Sequence, residues 1–163
     1  KKDGNMHKHA FYGEKISRDI LKRLSFSNEE TKKTLFLVKN HMIDINRNTR
    51  EILLKRFIVE NLEYIPDLIA LRFADTLGTG YFEKARIPDR LGLILDDMKK
   101  NNIPLSLKEL KINGSDVLSF GFKGEQVGEI LNELLDRCLR GEIKNNREDL
   151  LMVCQAKKEK ETK

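Results

Sequence analysis

Apolar residues in this chain recur every three to four positions and almost never every second one. Helices, not strands, are therefore the elements able to bury them. Between Ala10 and Leu24, Ile16, Ile20, Leu21 and Leu24 share one stripe. Ser27 followed three residues later by Glu30 is a capping box, opening a helix with Leu35, Leu37, Val38 and His41. Asn48 and Glu51 have the same spacing ahead of Leu53, Leu54, Phe57 and Ile58. Pro66 suits the first turn of a fourth helix, through Leu68 and Phe73 to Leu77, with Gly78 and Gly80 ending it. Pro88 is expected to open a fifth, which stops at Asn101-Asn102.

The texture then breaks. Pro104, Gly114, Gly121 and Gly124 predict a loop with one short helical turn near Ser115–Leu118. Glu125–Leu139 reads as a strongly amphipathic helix closed by Gly141, and a last helix starts near Asn146. The expected fold is all-α. A helical body fills 1–102, a smaller helical tail 103–156, and a disordered charged end 157–163.

At 39% hydrophobic and 35% charged, the chain is neither disordered nor collagen-like. No apolar run approaches the ~18 residues of a membrane span, and no signal-peptide pattern is present. No membrane partner is expected. Cys138 and Cys154, with no ligand-like spacing, read as reduced thiols of a cytoplasmic protein.

The net charge of +5 first suggests an anionic partner such as nucleic acid. Its distribution weakens that suggestion. Residues 1–8 (three Lys, one Asp) and 157–163 (four Lys, two Glu) each carry +2, whereas 104–156 holds seven basic residues against nine acidic ones.

Three residues on separate predicted helices have metal-ligand chemistry: His9, His41 and Asp75. Two imidazoles and a carboxylate converging in a bundle can hold a divalent ion such as Mg or Mn, whose bound water hydrolyses phosphate esters. The alternatives are a helix-end histidine at His41, an Asp75–Arg72 pair, and His7 and His9 on the surface. In the second region, Gly124 and Gly128 begin a helix beside Lys123. That pattern suits either close packing or the approach of a phosphate. Gly114 permits a positive φ, and Asp116 can cap the turn after it.

The run His9-Ala10-Phe11-Tyr12-Gly13, with Val38-Lys39-Asn40-His41 and Arg72-Phe73-Ala74-Asp75, resembles HD-type phosphohydrolase domains, although the His-Asp doublet of that family does not occur here. By that resemblance His9, His41 and Asp75 fall on metal-ligand positions. A more specific resemblance rests on Ile112-Asn113-Gly114-Ser115-Asp116, Gly128-Glu129-Ile130-Leu131, Gly141-Glu142-Ile143-Lys144-Asn145 and Arg147-Glu148. Their order is similar to the C-terminal region of bacterial class II tRNA nucleotidyltransferases (CCA-adding enzymes) and poly(A) polymerases, from about Asp3 to Leu151.

That resemblance implies an HD-related body and a tail that hold the 3′ end of a tRNA or other RNA. The NTP and its Mg would be bound by an N-terminal head. The head's Gly-Ser and paired-Asp pattern is absent from this sequence, which begins at Lys1. Lys111, Lys123, Gly124 and Arg147 are the expected RNA contacts. The alternative function is a metal-dependent phosphohydrolase. A third reading is a helical body that packs against the head or, as a homodimer, against a second copy.

Overall fold

Ser27 shows how directly the sequence sets local structure. In the computed structural model, which describes residues 9–80 and 86–161 (side chains 12–80 and 86–160), the Ser27 hydroxyl accepts the Glu30 amide at 3.2 Å. The Glu30 carboxylate accepts the Ser27 amide at 3.0 Å. This box opens α2 (Asn28–Asn40), which follows α1 (His9–Arg23). The remaining helices are α3 (Glu51–Glu60), α4 (Ile65–Gly78), α5 (Arg90–Lys100), α6 (Gly114–Ser119), α7 (Glu125–Arg140) and α8 (Arg147–Glu161). Two 3-10 turns lie at Leu62–Tyr64 and Leu107–Glu109, and there is no strand among the described residues. The all-α expectation holds.

Two compact units emerge, but not at the expected boundary after residue 102. The first takes the chain up to Thr49 together with Asn61–Gly92. The second takes Arg50–Glu60 and everything from Leu93 onward. The helix α3 therefore belongs with the tail. The reason is its buried face: Leu54 and Ile58 are fully buried, and Arg56 Nε donates to Asp136 on α7 at 2.7 Å.

In the first unit α1 packs on α2, and α2 on α4. Gly13 allows the first approach, because a Cβ there would stand 3.2 Å from Val38 Cγ1. Phe36 and Tyr64 stack with ring centroids 4.8 Å apart. The buried carboxylate of Asp44 organises the turn after α2. It accepts the Thr49 amide at 2.9 Å and Arg90 Nη1 at 3.0 Å. Burial pushes the Asp44 carboxyl up, but the Thr49 bonds and Arg90 outweigh it and hold it below the usual range. Arg72 adds a second tie, to Asp89 at 2.9 Å and to the Ile43 carbonyl at 2.7 Å.

These ties explain two departures from expectation. Glu51 is the first residue of α3 and not its third, so Asn48 is outside the capping position. Asp89, not Pro88, caps α5, accepting the Leu91 amide at 2.9 Å. The α1 stripe also departs: Leu21 is buried, while Ile16, Ile20 and Leu24 are exposed.

The second unit has a fuller core, with Met98, Ile112, Val117, Phe122, Leu134 and Leu150 among its buried side chains. Gly141 ends α7 at φ +73°, the left-handed conformation that glycine adopts without cost. The Glu142 amide reaches back to the Arg137 carbonyl at 3.0 Å, and the Gly141 amide to Cys138. The expected disordered end is instead helical as far as Glu161. Lys157 pairs with Glu133, and the Lys158 ammonium stands 4.7 Å over the Phe122 ring. Thr162 and Lys163 lie outside the described residues.

Candidate nucleic-acid interface

The sequence run 110–116 and the run 141–147 are fastened to each other by two polar clips. Asn145 forms the first. Its side-chain Oδ1 accepts the Lys111 amide at 3.0 Å, and its Nδ2 donates to the Glu109 carbonyl at 3.0 Å. Arg147 forms the second, a two-pronged bond to Asp116 with Nη1–Oδ2 at 3.1 Å and a shorter Nη2–Oδ1 contact. Asp116 is also the far member of a capping box. Its carboxylate accepts the Asn113 amide at 2.8 Å, while the Asn113 side chain accepts the Ser115 and Asp116 amides. The cap of α6 is thus Asn113, not Asp116. Gly114 is its first helical residue and has no positive φ. The Arg147 guanidinium, then the Asn113 amide, hold the Asp116 carboxyl below its ordinary range.

The expected RNA contacts separate into two kinds. Arg147 is committed to Asp116, which gives it a structural role within the chain. Lys111 and Lys123 are exposed and have no carboxylate partner among the described residues. Lys123 contributes its backbone, whose amide donates to Gln126 Oε1 at 3.2 Å ahead of α7. Gly124 is there for conformation: its φ of +56° with ψ −128° is a region other residues avoid. Neither Gly124 nor Gly128 has any atom within 4 Å of where a Cβ would stand, so close packing is not their purpose. Sequence reasoning quoted Asn145 inside a motif but missed its bridging role. Its signal, a pair of bonds to residues 34 and 36 positions away, has no local trace.

The candidate metal residues fare differently. His9 opens α1, and its side chain lies outside those described. His41 ends α2 and is half-buried, with Nδ1 2.8 Å from the Val38 carbonyl. The carbonyl oxygen there makes Nδ1 the donor of this bond, which fixes the ring's orientation. Asp75 is exposed. Arg72, its expected partner, is bound to Asp89. Among the described residues no three His, Cys, Asp or Glu side chains converge on a common point. The described part of the set is two residues, one of them exposed, and no step can be routed through a metal there.

No helix among the described residues is long and apolar enough to cross a membrane. The family model for tRNA nucleotidyltransferase domain 2 matches residues 9–154. The chain is 28% identical over 149 residues to the A-adding tRNA nucleotidyltransferase of Deinococcus radiodurans, covering 85% of this chain and 32% of that protein. It is 30% identical over 139 residues to the CC-adding tRNA nucleotidyltransferase of Thermus thermophilus, covering 83% of this chain and 30% of the relative. The chain thus spans about a third of the length of these curated relatives. No solved structure gives a significant match.

Proposed function

This chain belongs to the tRNA nucleotidyltransferase family, and from that premise we propose that it is the C-terminal, RNA-holding part of such an enzyme, or of a related poly(A) polymerase. In this reading the first unit is the HD-related body and the second carries the RNA-binding surface. A head domain of the same protein binds NTP and Mg and performs the transfer. The carrying observation is the family match over residues 9–154, with relatives that add A or CC to tRNA. The slight acidity of residues 104–156 argues that contact is with a few phosphates and RNA shape, weak and salt-sensitive. A gel shift with tRNA at low and raised salt tests this. Weak binding that falls further as salt rises is expected, with a modest log–log slope set by the few phosphates contacted, and no tRNA affinity at low salt overturns the reading.

The phosphohydrolase alternative would work through His41, whose ring is oriented by the bond from Nδ1 to the Val38 carbonyl. Its signature would be bound Mg or Mn in elemental analysis, lost on His41→Ala. Protein free of divalent metal, with phosphatase activity that His41→Ala leaves unchanged, would remove it.

A further inference from the structure

We infer that a groove of the second unit, between the turn at 101–104 and the loop at 141–146, seats one unpaired nucleotide of the RNA, with its phosphate on Lys144. The inference rests on the RNA-holding reading above and gives it a location. The groove has a volume of about 420 Å³, within the roughly 300–1,000 Å³ of sites that take small ligands. That suits a single splayed-out nucleoside and is too small for a duplex.

Its lining has two chemical parts. Ile103 and Ile143, both half-buried, supply an apolar surface for the face of a base, with Pro104 buried beside them. The Cys138 thiol in the same lining is kept neutral by burial, its pKa pushed up to about 11. Asn102 and Asn146 supply amides able to read a base edge. Asn146 is held in place because its side-chain oxygen accepts the Asp149 amide at 2.8 Å. The Asn102 side chain has no hydrogen-bond partner among the described residues, and its backbone sits at φ +52°.

Charge selects the ligand. Lys144 is exposed and has no carboxylate partner among the described residues. Its neighbour Glu142 is paired with Arg137 at 3.4 Å. A lone cation over an apolar floor with amide walls matches a nucleotide. An acidic peptide would need more positive charge than the lining offers.

The test compares tRNA affinity by fluorescence anisotropy at low and raised salt for the wild type, Lys144→Glu, Lys144→Gln and Lys108→Glu. The last makes the same charge change at the Leu107–Glu109 turn. Lys144→Glu is expected to weaken binding about tenfold or more and to flatten the log–log salt slope by about one. Lys144→Gln should lose less, and Lys108→Glu no more than about threefold. Crosslinking of 4-thiouridine-substituted tRNA should map to peptides containing 101–104 or 141–146. Equal losses for Lys144→Glu and Lys108→Glu, or crosslinks mapping elsewhere, overturn the groove while leaving RNA holding intact. Failure of the wild type to bind at all overturns the proposed function and this inference with it.

Discussion

The two units use the same kind of helical sequence and end with different interiors. Among the described residues the first buries five apolar side chains (Leu21, Leu35, Ile65, Leu68, Leu91) and leaves ten large ones exposed, including Tyr12, Ile16, Phe26 and Phe73. The second buries seventeen and exposes five. Periodicity marks which residues share a face. It does not say whether anything covers that face. The second unit closes its core within itself, reaching back to α3 to do so. The first sets beside its smaller apolar core the ion pairs and carbonyl contacts around Asp44, Arg72 and Arg90. Tyr12, Ile16 and Ile20 on α1, with Leu24 just after it, remain exposed, an apolar row of the kind that marks interaction surfaces.

The contrast is easiest to break at its strongest point. Phe122→Ala, in the second core, is expected to cost about 3–5 kcal/mol in urea unfolding. Phe73→Ala, 54% exposed in the first unit, should change stability by no more than about 0.5 kcal/mol. Comparable costs would show that the first unit packs as tightly as the second.

Asp44→Ala comes next. It leaves Arg90 and the Thr49 amide without their buried acceptor, at about 3 kcal/mol. Asp44→Asn, which can keep the amide bond, should lose less. A negligible loss for both would mean that polar ties are not what holds the first unit.

Acid should act on both units. Glu30, Asp44, Asp116 and Asp136 all have carboxyls held below their ordinary values. The unfolded chain therefore binds protons more readily. Stability is full above the ordinary carboxylate range and is lost as pH falls below about 4. Melting curves from pH 7 to pH 3 should show the decline, and Asp116→Asn should reduce its steepness. A flat profile would deny these groups their part.

The smallest effect is the most informative about the exposed row. Ile16→Lys combined with Ile20→Lys should leave stability within about 0.5 kcal/mol, while lowering binding of a hydrophobic dye. Unfolding of the double variant would show that the row is internal after all.

How much of this was legible depended on the range of the interaction. The Ser27–Glu30 box and the Gly141 stop were readable because every partner lies within five residues. Asn48–Glu51 had equally good spacing and failed. Asp44, bonded to an arginine 46 residues away, shapes the chain there instead. Asp75 makes a related point: it follows Leu71, Phe73 and Ala74 in sequence yet is exposed, because a carboxylate among apolar neighbours in sequence need not be among them in space. In the candidate interface, Lys111 and Lys123 are picked out by residue type, and the fold leaves both exposed. Arg147 is picked out in the same way, whereas its bond to Asp116, 31 residues distant, leaves no local trace. Lys144 stood inside a quoted motif, and nothing local distinguished it from other surface lysines.

The Asn145 clip has a consequence for how the second unit assembles. It joins Glu109 to a residue 36 positions later, so its bonds form only after that stretch of chain has been drawn together. The helix α6 carries a cap at its N-terminus and α7 one at its C-terminus, and neither cap needs such closure. Both helices are placed to form early, with the clip locking afterwards. Asn145→Ala should then leave the refolding rate nearly unchanged and speed unfolding, in stopped-flow measurements. Asn145 would set the lifetime of the folded unit more than the speed of reaching it.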